Sequence, residues 1–201
     1  MDFTTTDLKS LFAAFAARMA AERDALCALD GAIGDGDHGI AMEQGMTAAA
    51  KAAAETDGTL QDICNAAAKG FLNAVGASSG PLYATGLLRA GKALGPVTAI
   101  PRERLAQIIP AIRDGIVHRG KAEPGQKTML DAWHPAAEAV LSGSDATTAS
   151  DRANEGAKAT TGMIARMGRA ERLQERSLGH PDPGAVSAAM LVEIIAQAVR
   201  I

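Results

Sequence analysis

Residues 4–39 read TTTDLKSLFAAFAARMAAERDALCALDGAIGDGDHG, and the change of character along this stretch decides the fold. Leu8, Leu11, Phe12, Phe15 and Met19 recur at three- and four-residue spacing, and Leu26 and Leu29 extend the stripe. An apolar face that returns every 3.6 residues is the mark of a helix lying on a core. Thr4, Thr5 and Thr6 precede the stripe and offer side-chain oxygens to the free N–H groups of a first turn. The pattern stops at Asp30-Gly31, and a loop of glycine and aspartate runs on to Gly39.

The same periodicity predicts helices over Met42–Ala54, Leu60–Val75, Leu82–Leu94, Pro101–Ile116, Thr128–Leu141, Ala146–Met167 and Pro183–Val199. Asp57-Gly58 and Gly95-Pro96 break the run between neighbours. Pro110 and Pro135 fall inside two of the predicted helices and should bend them. Arg169–Pro183 is polar and predicts a long loop. Val97–Ile100 is the best strand candidate, but it is short and ends at a proline. Hydrophobic residues make up 47% of the chain and aromatics only 3%, so Ala, Leu, Ile, Val and Met must build the core. Small side chains let helices approach closely. The expectation is an all-α fold, a bundle of eight antiparallel helices, with residues 1–201 forming a single domain.

The net charge is −3 and no basic stripe recurs, which argues against a nucleic-acid partner. No apolar run reaches the roughly 18 residues that a membrane span needs. The start, MDFTTTD, lacks the basic and apolar segments of a signal peptide, so a cytoplasmic location is expected. Cys27 and Cys64 lie in helical patterns without CxxC spacing and read as buried, reduced thiols.

Three carboxylates, Asp30, Asp35 and Asp37, fall within eight residues. They repel one another, and a cation is the natural way to stabilise them. Oxygen ligands without cysteine point to Mg²⁺ or Ca²⁺. An EF-hand fails on register: counted from Asp35, the fifth position is Gly39 and the twelfth is Met46, where a bidentate Glu is required. Mg²⁺, which keeps waters and takes ligands from substrate phosphates, suits the set. An exposed Asp/Gly turn without a ligand is the alternative. Gly34, Gly36 and Gly39 spell G-x-G-x-x-G, but a helix precedes them where a dinucleotide fold needs a strand. Gly120–Thr128 has one residue too many for a Walker A loop. That loop and Gly76–Gly80 each run into a helix N-terminus and offer backbone N–H groups to an anion, or simply connect helices. Arg176 could pair with phosphate or with a surface acid, and His38 could contact phosphate, ligate metal or serve structure. His118, His134 and His180 form no metal spacing, and Trp133 reads as a packing residue.

Four stretches taken together resemble the nucleotide-binding L subunit of dihydroxyacetone kinase: GDGDHG at 34–39, GASSGPLY at 76–83, RGKAEPGQKTMLDAW at 119–133 and GRAERLQERSLGHPDPGA at 168–185. The resemblance implies a closed barrel of eight antiparallel helices with a nucleotide at one end. It implies that Asp30, Asp35 and Asp37 bind two Mg²⁺ ions bridging the phosphates of ADP or ATP. His38, Gly39, Ile40 and Ala41 would lie along those phosphates, Ser78 and Ser79 in a second nucleotide loop, and Gly120 and Met129 beside base or sugar. Arg176, Asp182, Pro183 and Gly184 would belong to a lid. Ala41 stands where Asn or Thr is usual, Gln126 where Asp is usual, Gln174 where Gly is common, and Ala77 and Ser78 vary the glycine loop.

The activity so implied is phosphoryl transfer by positioning and charge neutralisation, with no nucleophile from this chain. A separate K subunit would hold dihydroxyacetone or a related small ketose covalently on a histidine. With the sequence ending at Ile201, that module is expected on a partner chain. In phosphotransferase-linked systems an M subunit rephosphorylates bound ADP in place, and a stand-alone L chain favours that source over exchangeable ATP. A regulatory module that contacts a transcription regulator through its nucleotide state is the competing class. Neither a homodimer nor the choice of ketose is legible in the sequence.

Overall fold

The computed structural model describes residues 1–76 and 78–200. Strand β1 (Asp2–Thr4) leads into α1 (Thr5–Ala21), α2 (Arg23–Ile33), α3 (His38–Ala54), α4 (Leu60–Ala74) and α5 (Ser79–Leu94). Strand β2 (Ala99–Pro101) follows, then α6 (Ile108–Gly120), α7 (Leu130–Leu141), α8 (Ala146–Ala159) and α9 (Pro183–Arg200). Short 3₁₀ helices cover Arg102–Gln107, Thr160–Gly162 and Arg169–Ser177.

Local chemistry fixes the helix starts. Thr4 and Asp7 exchange side-chain and backbone hydrogen bonds in a capping box at α1, Thr59 and Asp62 do the same at α4, and Asp145 caps α8. The apolar stripe of α1 is buried as predicted, from Leu8 through Met19. Helices pack in chain order: α1 on α3, then α3 on α4, α4 on α5, α5 on α6, α6 on α7, α7 on α8 and α8 on α9, while α9 also contacts α1. Glycine permits close approach between several of these helices. A Cβ on Gly115 of α6 would stand 2.6 Å from the Gly86 Cα of α5. One hydrophobic cluster runs through all these helices, with Trp133, Tyr83, Phe3, Phe12 and Phe71 its largest fully buried members.

The all-helical expectation agrees with this architecture, with local departures. The first predicted helix is two: the run breaks at Glu22, and α2 packs on α3 and touches α9. No proline or glycine marks that break, beyond which Leu26 and Ile33 are buried. Pro110 is only the third residue of α6, where a missing N–H costs nothing, so the stretch before it winds as a 3₁₀ helix. The seventh predicted helix ends at Ala159 rather than Met167. The strand candidate near Ile100 pairs antiparallel with residues 2–4, placing Phe3 opposite Ile100, both buried. Cys64 is buried, Cys27 only half-buried, and both are free thiols. Among the described residues α9 alone is long and apolar enough to cross a membrane, against the expectation that no segment is. It is 61% buried, with its apolar surface taken up by the core.

Candidate functional site

Antiparallel packing brings alternate helix ends together. The C-terminal ends of α2 and α6 and the N-terminal ends of α3, α5, α7 and α9 surround one cavity of about 450 Å³. Ile33, Leu82, Ile116, Met129 and Met167 give it an apolar wall, and Asp30, Asp37, Arg169 and Asp182 supply charge.

Asp30 sits in the last turn of α2, and its Oδ2 accepts hydrogen bonds from the backbone N–H groups of Asp37 (2.9 Å) and His38 (3.1 Å). One carboxylate thus folds the loop back and satisfies N–H groups at the start of α3. Gly34 is required here, because a side chain would strike the Asp30 carboxylate. The loop carries Asp35 and Asp37 back toward Asp30, so that one oxygen from each of the three lies within 4.8 Å of the others. Burial, and then the charge of Asp30, push the Asp37 carboxyl above its usual value. The donor set is all oxygen, clustered and electrostatically frustrated, which fits a hard divalent cation. In the structure a guanidinium meets the charge: Arg169 Nη1 contacts Asp35 Oδ1 and lies 3.2 Å from Asp37 Oδ2.

His38 Nε2 is 2.9 Å from Ser187 Oγ, whose own hydroxyl donates to the Gly184 carbonyl at 3.1 Å. With that hydroxyl committed, Nε2–H is the donor to Ser187. Burial lowers the His38 pKa against the opposing charge of Asp30, so the ring is neutral near pH 7. Asp182 accepts from Ala185 N–H (2.7 Å) at the start of α9. Burial lifts its carboxyl to about 7 in spite of that bond and of Lys127, and Asp131 and Asp30 add to the rise.

Of the residues singled out from sequence, Asp30, Asp37, His38, Ala41, Ser78, Ser79, Gly120, Met129, Asp182, Pro183 and Gly184 line the cavity. Asp35 belongs to the carboxylate cluster at its edge. Ala77, in the second loop, lies outside the described residues. Gly39 is buried between α2 and α3, against the Arg23 carbonyl and Cys27 Sγ, and Ile40 points outward with 45% exposure. Arg176 is exposed and away from the cavity; Arg169, seven residues earlier in the same stretch, stands on the lining instead. Gln174 adopts φ +50, a left-handed conformation that explains why glycine is common there.

Two residues that sequence reasoning missed hold the cavity rim. Lys127 is 1% exposed, and its Nζ donates to the carbonyls of Thr160 (2.8 Å), Met163 (3.1 Å), Ser177 (2.8 Å) and His180 (2.6 Å). The lysine of the Walker-like loop thus faces backbone. Asp131 accepts from Gly125 N–H and from Thr128 N–H at 2.8 Å, so the expected anion site at the start of α7 is filled by the chain's own carboxylate. For Asp131 the Thr-x-x-Asp pattern at 128–131 was the available signal; for Lys127 there was none.

The model of the DAK2 domain matches residues 32–197. The chain is 38% identical over 188 residues to the ADP-binding subunit of the PEP-dependent dihydroxyacetone kinase of Escherichia coli, covering 89% of this chain and 90% of that one. It is 41% identical over 184 residues to the ADP-binding subunit of PEP-dependent dihydroxyacetone kinase 1 of Listeria innocua, covering 91% of each. The crystal structure of the dihydroxyacetone kinase of C. freundii with AMP-PNP and Mg²⁺ is similar in fold, with a TM-score of 0.72 at 24% identity. That match covers 94% of this chain and 33% of the larger one. The helical frame, the aspartate loop and these matches lead to one conclusion: the chain belongs to the DAK2 domain family.

Proposed function

We propose that this chain is the ADP-binding subunit of a dihydroxyacetone kinase and carries phosphate on ADP/ATP to a small ketose held by a K subunit. The observation that carries the proposal is the meeting of three convergent carboxylates with a half-apolar cavity rimmed by helix N-termini. Relatives of the same length, covered over about nine-tenths, are ADP-binding subunits of PEP-dependent kinases.

Asp30, Asp35 and Asp37 would hold Mg²⁺, two ions in the full form of the proposal. When bound, such ions offset the charge of the phosphates and of the transition state. α5 opens at Ser79 without a side-chain cap, so its first-turn N–H groups are placed for phosphate oxygens. His38 is neutral and held by Ser187, which lets it lie beside phosphate without competing for the cation. Gly120 and Met129 border the apolar wall where a base or sugar would be shielded from water. The Asp182-Pro183-Gly184 turn closes the rim through its bond to Ala185. The packing order, in which α9 returns to α1, supports a closed barrel as the frame. The phosphodonor would be an M subunit of phosphotransferase type, and the free thiols suit a cytoplasmic protein.

Heating the purified protein and analysing the released small molecule tests the proposal: ADP is expected. Phosphate should then reach dihydroxyacetone only when K subunit and phosphodonor are both added. No nucleotide, and no transfer under those conditions, would overturn it.

A further inference from the structure

The segment that follows α8 meets the aspartates with a positive charge of its own. Both its roots are fixed. Met163 and His180 give their carbonyls to Lys127, Gly179 N–H donates to the Thr161 carbonyl (2.9 Å), and Ala165 N–H donates to Ser177 Oγ (2.9 Å). Between the roots the backbone bends at Gly168 (φ +71) and Gln174 (φ +50). Among the described residues, Arg169 makes the only ion pairs or hydrogen bonds that join 167–176 to anything outside residues 165–178.

We propose that Arg169 is a built-in competitor for the cation site: it neutralises Asp35 and Asp37 when no divalent ion is bound, and an entering ion displaces it and frees residues 167–176. This rests on the reading of the three aspartates as metal ligands. A single guanidinium offsets one of three negative charges, so a dication with oxygen ligands is the stronger counter-ion. The pair is also half-exposed, with Arg169 at 54% and the two aspartates at 48% and 49%. Exposed pairs of this kind are weak enough to be exchanged. The competitor lowers apparent ion affinity in proportion to the fraction of molecules whose carboxylates are left uncovered, about two- to sixfold for a pair of this strength. Ion entry is thereby coupled to release of the segment over the cavity, because the fixed roots confine the movement to its interior.

The test is calorimetric titration of nucleotide-free protein with Mn²⁺, comparing wild type with Arg169→Gln, Arg172→Gln and Asp35→Asn, each checked for unchanged helical circular dichroism. Arg169→Gln should bind the ion about two- to sixfold more tightly. Arg172→Gln removes the same charge from a neighbour that does not touch the aspartates, and should bind as wild type. In limited trypsin digestion, Mn²⁺ should speed cleavage within 167–176 in wild type and leave the rate in Arg169→Gln unchanged. Equal or weaker binding in Arg169→Gln, or equal tightening in Arg172→Gln, would overturn the inference, whereas no measurable binding in either protein would sink the metal assignment on which it rests. Unaltered Mn²⁺ binding in Asp35→Asn would instead sink the metal assignment, so the two failures are distinguishable.

Discussion

Lys127→Met removes the ammonium that joins four backbone carbonyls while keeping the length of the side chain. The ammonium has three N–H donors for the carbonyls of Thr160, Met163, Ser177 and His180, so three bonds are made at a time. Hydrogen bonds from a charged donor contribute about 1.5–3 kcal/mol each, which gives a gross loss of roughly 4–9 kcal/mol. Burial acts the other way. It lowers the Lys127 pKa, with Asp182 opposing, and a thioether has no such desolvation cost. Because the carbonyls are left without a donor, the net cost is about 3–5 kcal/mol. In a domain of this length each kcal/mol moves Tm by about 2–4 °C, so Lys127→Met should melt about 10 °C lower. Circular dichroism at 222 nm reads the melt, and limited proteolysis should show cleavage between residues 160 and 182 before the rest of the chain. A Tm within about 2 °C of wild type, with unchanged proteolysis, would refute the role given to the ammonium.

Other outcomes follow from the same geometry. Gly115→Ala puts a Cβ 2.6 Å from the Gly86 Cα and 2.8 Å from the Thr85 carbonyl oxygen, neither of which can swing aside, and should cost about 1–3 kcal/mol in urea unfolding. An unchanged midpoint would contradict the close α5–α6 approach. Asp182 has its carboxyl raised from the usual 3.8 to about 7 by burial. The folded state therefore holds the proton more tightly. The contribution is full below about pH 4 and is lost as pH rises through 7. The Tm of Asp182→Asn relative to wild type should accordingly rise between pH 5 and pH 8, and a flat or falling difference would count against a buried Asp182. Thr59→Ala removes one half of the α4 capping box and should cost about 1 kcal/mol, measured by thermal melting.

Helix identity was legible because the apolar stripes of α1, α4 and α9 are strong enough to survive tertiary packing. The aspartate loop was legible because three like charges in eight residues demand a cause. The break at Glu22 was not, since no proline or glycine stands there to mark it. Lys127 resembled a phosphate-binding lysine because its neighbours are glycine and threonine. Its partners are carbonyls as many as 53 residues away, and no local pattern announces them. Arg176 and Arg169 differ only in where the 3₁₀ stretch 169–177 directs them, and a polar segment without an apolar stripe leaves that register open.

The central claim is that the aspartate cluster holds nucleotide through a divalent cation. Titrating ADP into nucleotide-stripped protein, with Mg²⁺ or with EDTA, and into Asp35→Ala and Asp37→Ala, tests it most directly. Both aspartates are half-exposed, so the helical spectrum should persist in each variant. ADP binding should require Mg²⁺ and be lost in both variants; ADP bound equally well in EDTA, or by either variant, would contradict the account.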